Sequence, residues 1–121
     1  MQTSTGQSFV TTLGEFEVVN AFGLRVFRKE ISAAQAQESV NDFEKDLRDG
    51  IFQLRRLEDS FFERARQLSR QTTAKLGTRS ADLLHVAAAL ELGADYIYSF
   101  DQHQRKLAQT VRLKLNQSAR P

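Results

Sequence analysis

The sequence contains no cysteine, a single proline at its last position, and only six glycines. Without cysteine, disulfides, thiolate metal centres and a cysteine nucleophile are all excluded. A chain that needs no disulfide can fold in a reducing cytoplasm. So little proline and glycine leaves no internal linker, and no repeat or low-complexity block is visible. An excess of one charge is also missing. Seventeen Lys+Arg face fifteen Asp+Glu, which excludes a protein that holds nucleic acid by charge excess alone. Long apolar runs are absent too. The strongest one, LLHVAAAL (Leu83–Leu90), is far too short to cross a bilayer. The segment MQTSTGQSFVTT lacks the basic and apolar regions of a secretory signal. These absences predict a soluble, cytoplasmic protein without a membrane partner.

What is present is enough for one ordinary domain. The 121 residues can bury a core but are short for two domains, so residues 1–121 are expected to form one. A hydrophobic fraction of 40% excludes a disordered chain. Charge is unevenly placed. Residues 1–60 hold seven basic and ten acidic side chains, and residues 61–121 hold ten basic and five acidic. A mildly basic C-terminal half is compatible with a polyanionic partner. The basic residues fall in small groups (Arg25, Arg28 and Lys29; Arg55 and Arg56; Arg64, Arg66 and Arg70; Arg105 and Lys106). Each reads either as a wet face or as a phosphate contact.

Capping boxes supply the helix punctuation. Thr12-Leu-Gly-Glu15 opens a helix to about Arg28. Ser32-Ala-Ala-Gln35 opens a second, with Ala36, Val40, Phe43 and Leu47 at helical spacing and Gly50 as its stop. Ser60-Phe-Phe-Glu63 opens a third, with Phe61, Ala65, Leu68 and Thr72 on one side. A fourth, from about Ala81 to Leu92, is apolar nearly all round, which predicts burial. Asp101 caps a short helix through about Ala108. Strands are expected at Ser8–Thr12, Ile51–Leu57, Tyr96–Phe100 and Arg112–Leu115. Alternating strands and helices predict α/β layering around a largely parallel sheet.

Most carboxylates have local roles. Glu15 and Glu63 complete capping boxes, and Glu38, Asp42, Glu44, Asp46 and Asp49 follow the wet side of the second helix. Three remain. Glu17 lies beside the apolar stripe of the first helix and is no cap. Asp82 sits in the first turn of the most hydrophobic helix, where the helix dipole alone would favour it. Asp101 ends the strongest strand, either as an N-cap or where ligands of parallel sheets bind. Were the three to converge, a cation would have to relieve their repulsion, and oxygen-only ligands suit Mg²⁺ or Mn²⁺ rather than Zn²⁺. His85, one turn after Asp82, reads as a hydrogen-bonded core residue or as a base, and His103 as solvated.

RSADLLHVAAALELGADYIYSFDQHQRKLA (Arg79–Ala108) closely resembles the C-terminal half of PIN-domain proteins, metal-dependent nucleases that include the VapC toxins of bacterial toxin–antitoxin pairs. FEVVNAFGLRVFRKEIS (Phe16–Ser32) is similar to the segment bearing the family's acidic residue on its first conserved helix. The likeness runs from about Ser8 to Leu115. It implies a helix-rich three-layer α/β/α fold with a short, mostly parallel sheet, and cleavage of RNA with Mg²⁺ or Mn²⁺. It places family acidic positions on Glu17, Asp82 and Asp101 as catalytic, metal-holding groups, with Ser80 supporting Asp82. An antitoxin partner is implied as well.

The sequence also departs from the family pattern. Residues 1–14 contain no Asp or Glu, so the family's first catalytic Asp has no counterpart, and the central first strand that would carry it is expected to be missing. Arg112 stands where a glycine is common before the final strand. An N-terminally truncated domain of this kind predicts impaired cleavage. It also predicts a homo-oligomer, most simply a two-fold dimer, that covers exposed strand edges or the first helix. The competing reading is a non-catalytic remnant serving as an oligomerisation or antitoxin-binding module. A plain helical scaffold would leave Glu17, Asp82 and Asp101 as a coincidence.

Overall fold

A computed structural model of the chain describes residues 8–97 and 102–115. The elements follow as β1 (Phe9–Thr11), α1 (Thr12–Phe27), α2 (Ala33–Arg48), β2 (Gln53–Arg55), α3 (Asp59–Leu76), α4 (Ser80–Glu91), β3 (Tyr96–Ile97), α5 (Gln102–Thr110) and β4 (Lys114–Leu115). They fall into two compact units. Ser8–Arg56 forms one, and the chain from Leu57 onward belongs to the other.

In the first unit β1 and β2 pair in parallel, Phe9 opposite Gln53 and Thr11 opposite Arg55. The helices α1 and α2 between them supply the crossover that a parallel pair requires. Both helix starts have a mechanism. Ser32 Oγ accepts from the Gln35 N–H at 3.1 Å while Gln35 Oε1 accepts from the Ser32 N–H at 2.8 Å, so the expected capping box is complete. The cap of α1 is Thr11 rather than Thr12. Thr11 is the last strand residue and still extended (φ −83°, ψ 163°), and its Oγ1 accepts from the Gly14 N–H at 3.0 Å. Thr12 is already helical, so Glu15 lies beyond the box position and only complements the helix dipole. Burial in this unit is thin: Phe9, Thr11 and Ala36 are buried, and α1 buries none of its side chains despite its apolar composition.

The second unit holds most of the described core. Phe61, Ala65, Leu68 and Thr72 face inward along α3, as their spacing predicts. They pack with α4, where Leu83, Val86, Ala87, Ala88 and Ala89 are buried. Three successive alanines let a neighbouring element approach this helix closely on more than one side. Leu107 and Ala108 of α5, together with Ile97 and Leu113, complete the core. The strands β3 and β4 are parallel, Tyr96 opposite Lys114 and Ile97 opposite Leu115. Among the described residues, β1 has β2 as its one neighbour and β3 has β4.

Several boundaries differ from the sequence expectation. Helix α3 starts at Asp59 after an extended Glu58 that makes no side-chain cap bond, so Ser60 is already inside the helix and Ser60–Glu63 is no capping box. The second strand is shorter than Ile51–Leu57, and α5 runs on past Ala108 to Thr110. Of the expected strand Tyr96–Phe100, residues 98–100 lie outside the described residues. The last strand cannot begin at Arg112, because that residue has φ +65°.

That positive φ belongs to a recurrent helix ending. At Gly93, the Ala94 N–H reaches back to the Ala89 carbonyl (2.8 Å) and the Gly93 N–H to Leu90 (3.2 Å), the paired bonds of a Schellman motif. After α5 the same pair forms with Leu113 donating to Ala108 (2.9 Å) and Arg112 to Gln109 (3.0 Å). Leu113 and Ala108 are both buried, which adds the hydrophobic contact usual to the motif. Gly93 enters the left-handed region at φ +68° without a Cβ clash, whereas Arg112 does so against one. Arg112→Gly is therefore expected to raise stability by about 1 kcal/mol, and Gly93→Ala to lower it by about as much. Urea denaturation midpoints of the two variants check this, and a destabilised Arg112→Gly would contradict it.

Candidate metal-binding site

The fourth helix fixes the one candidate carboxylate whose surroundings the structure describes in detail. Its N-cap, Arg79, is extended (φ −95°, ψ 156°), and Ser80, Ala81 and Asp82 form the first turn. The start of this turn is anchored from behind. Thr78 is buried, its hydroxyl meets that of Thr73 near the end of α3, and Thr73 is in turn bonded to Ser69 at 3.0 Å. This hydroxyl chain ties the short 77–79 connection to α3, so α4 leaves at a defined point. The apolar faces that follow hold the helix in the core and carry Asp82 inward with it.

Asp82 is 6% exposed, the one acidic residue among the buried positions described. A carboxylate at that depth is costly unless it is paired and hydrogen-bonded. Two features compensate. The N-terminal turn presents the positive end of the helix dipole, and the Arg79 Nε–H donates to Oδ2 at 3.1 Å. Arg79 was not among the residues singled out from the sequence. Opposite charges at i and i+3 across a helix start are the signal that marks it.

The other sequence-predicted positions are placed less informatively. Ser80 is the first helical residue of α4 and is exposed, beside Asp82 in the same turn. Glu17 is exposed on α1 and belongs to the first unit, whereas Asp82 belongs to the second. Asp101 lies outside the described residues, as does the side chain of His103. His85 is half-buried one turn beyond Asp82. Among the described residues, no group of three or more His, Cys, Asp or Glu side chains is placed to hold a metal ion.

The donor chemistry at Asp82 nonetheless fits a divalent cation. It offers a hard carboxylate oxygen, suited to Mg²⁺ or Mn²⁺. A cationic guanidinium already stands against that oxygen, so the position draws positive charge. Mg²⁺ sites commonly use only one or two protein carboxylates, with waters and substrate phosphates completing the shell.

Because the Arg79 side chain is 57% exposed, solvent screens the pair. Its coupling is expected at about 0.5–1 kcal/mol, well below that of a sealed ion pair. A double-mutant cycle with Arg79→Ala and Asp82→Asn, measured by urea denaturation in chelator, gives this number directly. Zero coupling would show that the pair does not form in solution.

Comparison with known proteins adds the family. Residues 9–109 match the family model described as the PIN domain. Neither the curated proteins nor the solved structures give a significant match. PIN domains are α/β proteins of a nuclease-like family that generally uses divalent metals. The match spans both units of the chain and agrees with its helix-rich architecture, its parallel strand pairs and the expectation drawn from the Arg79–Ala108 motif. The protein belongs to the PIN-domain family.

Proposed function

We propose that this protein is a metal-dependent endoribonuclease of the VapC toxin kind whose cleavage is impaired in the chain as it stands. The observation that carries the reading is Asp82, a carboxylate buried on the first turn of α4 within a PIN-domain match. A single match runs through both units, and residues 1–121 are accordingly read as one domain with an N-terminally truncated pattern. Asp82 would hold Mg²⁺ or Mn²⁺, and by family likeness Glu17 and Asp101 would contribute further carboxylates, with Ser80 supporting the helix start. When bound, such a cation supplies activation of water and neutralisation of charge on the phosphate under attack. The chain's own part is to fix the Asp82 carboxylate at a helix start where the dipole favours anions, and to exclude bulk water from behind it with α4. Arg66 and Arg70, exposed one turn apart on α3, suit the phosphates of an RNA strand.

Residues 1–14 carry no acidic side chain, so this sequence offers no match to the family's first catalytic Asp. RNA cleavage in Mg²⁺ or Mn²⁺ is therefore expected to be weak or absent, and any residual activity should vanish in Asp82→Asn. Gel or fluorescence assays on a mixed RNA substrate measure this. Robust turnover that Asp82→Asn abolishes would show the first carboxylate to be dispensable or supplied by another polypeptide. Turnover unaffected by Asp82→Asn would remove Asp82 from the site.

The second reading, a non-catalytic oligomerisation or antitoxin-binding module, has its own observation. Phe16, Val19 and Phe27, with Gly23 between them, fall on one stripe of α1. Phe16 is 68% and Phe27 83% exposed, and a Cβ at Gly23 would meet open space. Leu24, Ile51 and Leu54 of the same unit are exposed as well. So much apolar surface on one small unit is unfavourable at roughly 25 cal/mol per Å² left in water. A cytoplasmic homodimer through α1 or the strand edges is the simplest cover, and an antitoxin segment is the alternative one. Sedimentation velocity at micromolar concentration is expected to show a dimer that the double variant Phe16→Glu, Phe27→Glu dissociates. A stable wild-type monomer would contradict self-association.

A further inference from the structure

Arg79 does not do what an N-cap residue ordinarily does. That position favours a short side chain whose oxygen accepts a free N–H of the first turn. Arginine has no acceptor, and Arg79 makes no side-chain cap bond. Its Nε–H instead donates to Oδ2 of Asp82, three residues on. The two partners are held very differently. The Asp82 side chain is 9% exposed and fixed by the packing of α4, whereas Arg79 is mostly solvated on a long stem. One partner is pinned, and the other can leave without disturbing the core.

We propose that Arg79 is the counter-cation Asp82 carries when no divalent ion is bound, and that it competes with such an ion for the same carboxylate. This rests on Asp82 being a metal ligand, as argued above, and makes Arg79 a positioning residue rather than a catalytic one. The arrangement has a physical logic. A buried carboxylate left unpaired is costly, so a metal-free chain gains from a resident cation. A guanidinium carries one charge and binds here through one resolved hydrogen bond, so a doubly charged ion can replace it. The pair therefore keeps Asp82 ionised and oriented in the empty state, and lowers the apparent affinity for the metal.

Binding of Mn²⁺ alone to the full chain, followed by the loss of the free-ion electron paramagnetic resonance signal and by calorimetry, tests this. Arg79→Ala is expected to bind Mn²⁺ roughly three- to tenfold more tightly than wild type, with Arg79→Lys in between. Arg79→Gln keeps much of the stem without the charge and should move affinity in the same direction, which covers the case of a poorly folded alanine variant. Asp82→Asn should lose the binding. A residue that only braced the helix start would leave the affinity unchanged or weaken it when removed. Unchanged or weaker binding in Arg79→Ala and Arg79→Gln, with binding still lost in Asp82→Asn, would overturn the competition while leaving Asp82 a ligand. Wild-type affinity in Asp82→Asn, or no binding by wild type, would overturn the metal reading and this proposal with it.

Discussion

A carboxylate held inside an apolar helix packing is the constraint on which the second unit turns. The fourth helix is buried because almost every position along it is apolar, and Asp82 goes inward with its neighbours rather than by its own preference. The helix dipole and the Arg79 ion pair offset part of the desolvation that follows. Neither would be needed if the position were filled by leucine, which would pack there at no such cost. A chain that retains the costly residue retains a negative charge at a defined place, and the hydroxyl chain Ser69–Thr73–Thr78 fixes where that place begins.

The two units contrast in how far they satisfy their own apolar surface. From Leu57 onward, α3, α4 and α5 bury a continuous set of side chains, from Phe61 to Leu113. In Ser8–Arg56 the crossover geometry is sound, with a complete capping box on α2 and a parallel register between β1 and β2. Yet α1 buries nothing, and its largest side chains face solvent. Local rules thus shape both units, but only one of them closes a substantial core from its own residues. Association through α1 and chemistry at α4 are separable properties of this chain, one belonging to each unit.

Much of the fold was legible because its signals are local. The α3 stripe Phe61, Ala65, Leu68, Thr72 and the Ser32–Gln35 box were readable from spacing alone, and both appear as expected. Helix starts were less legible where two cap-competent residues adjoin. Thr11 and Thr12 have the same chemistry, and the strand conformation of Thr11 decides between them. The end of α5 illustrates the same limit, since a left-handed arginine is not what composition suggests, although the missing glycine at position 112 hinted at it. The burial of Asp82 followed from the apolar helix around it. Its partner did not, because Arg79 reads as a cap position until the guanidinium is seen to turn toward the carboxylate. The α1 exposure was illegible for the opposite reason: apolar composition reports a tendency to be covered, not what does the covering.

The central claim is that Asp82 is kept buried and charged in order to hold a divalent cation. Anomalous diffraction from crystals soaked in Mn²⁺ tests it most directly, since it locates the ion and its ligands together. The account predicts an anomalous peak roughly 2.0–2.6 Å from an Asp82 carboxylate oxygen, with the Arg79 guanidinium withdrawn from Oδ2. An intact Arg79–Asp82 pair with no manganese at Asp82, at a concentration that saturates the protein in solution, would contradict it.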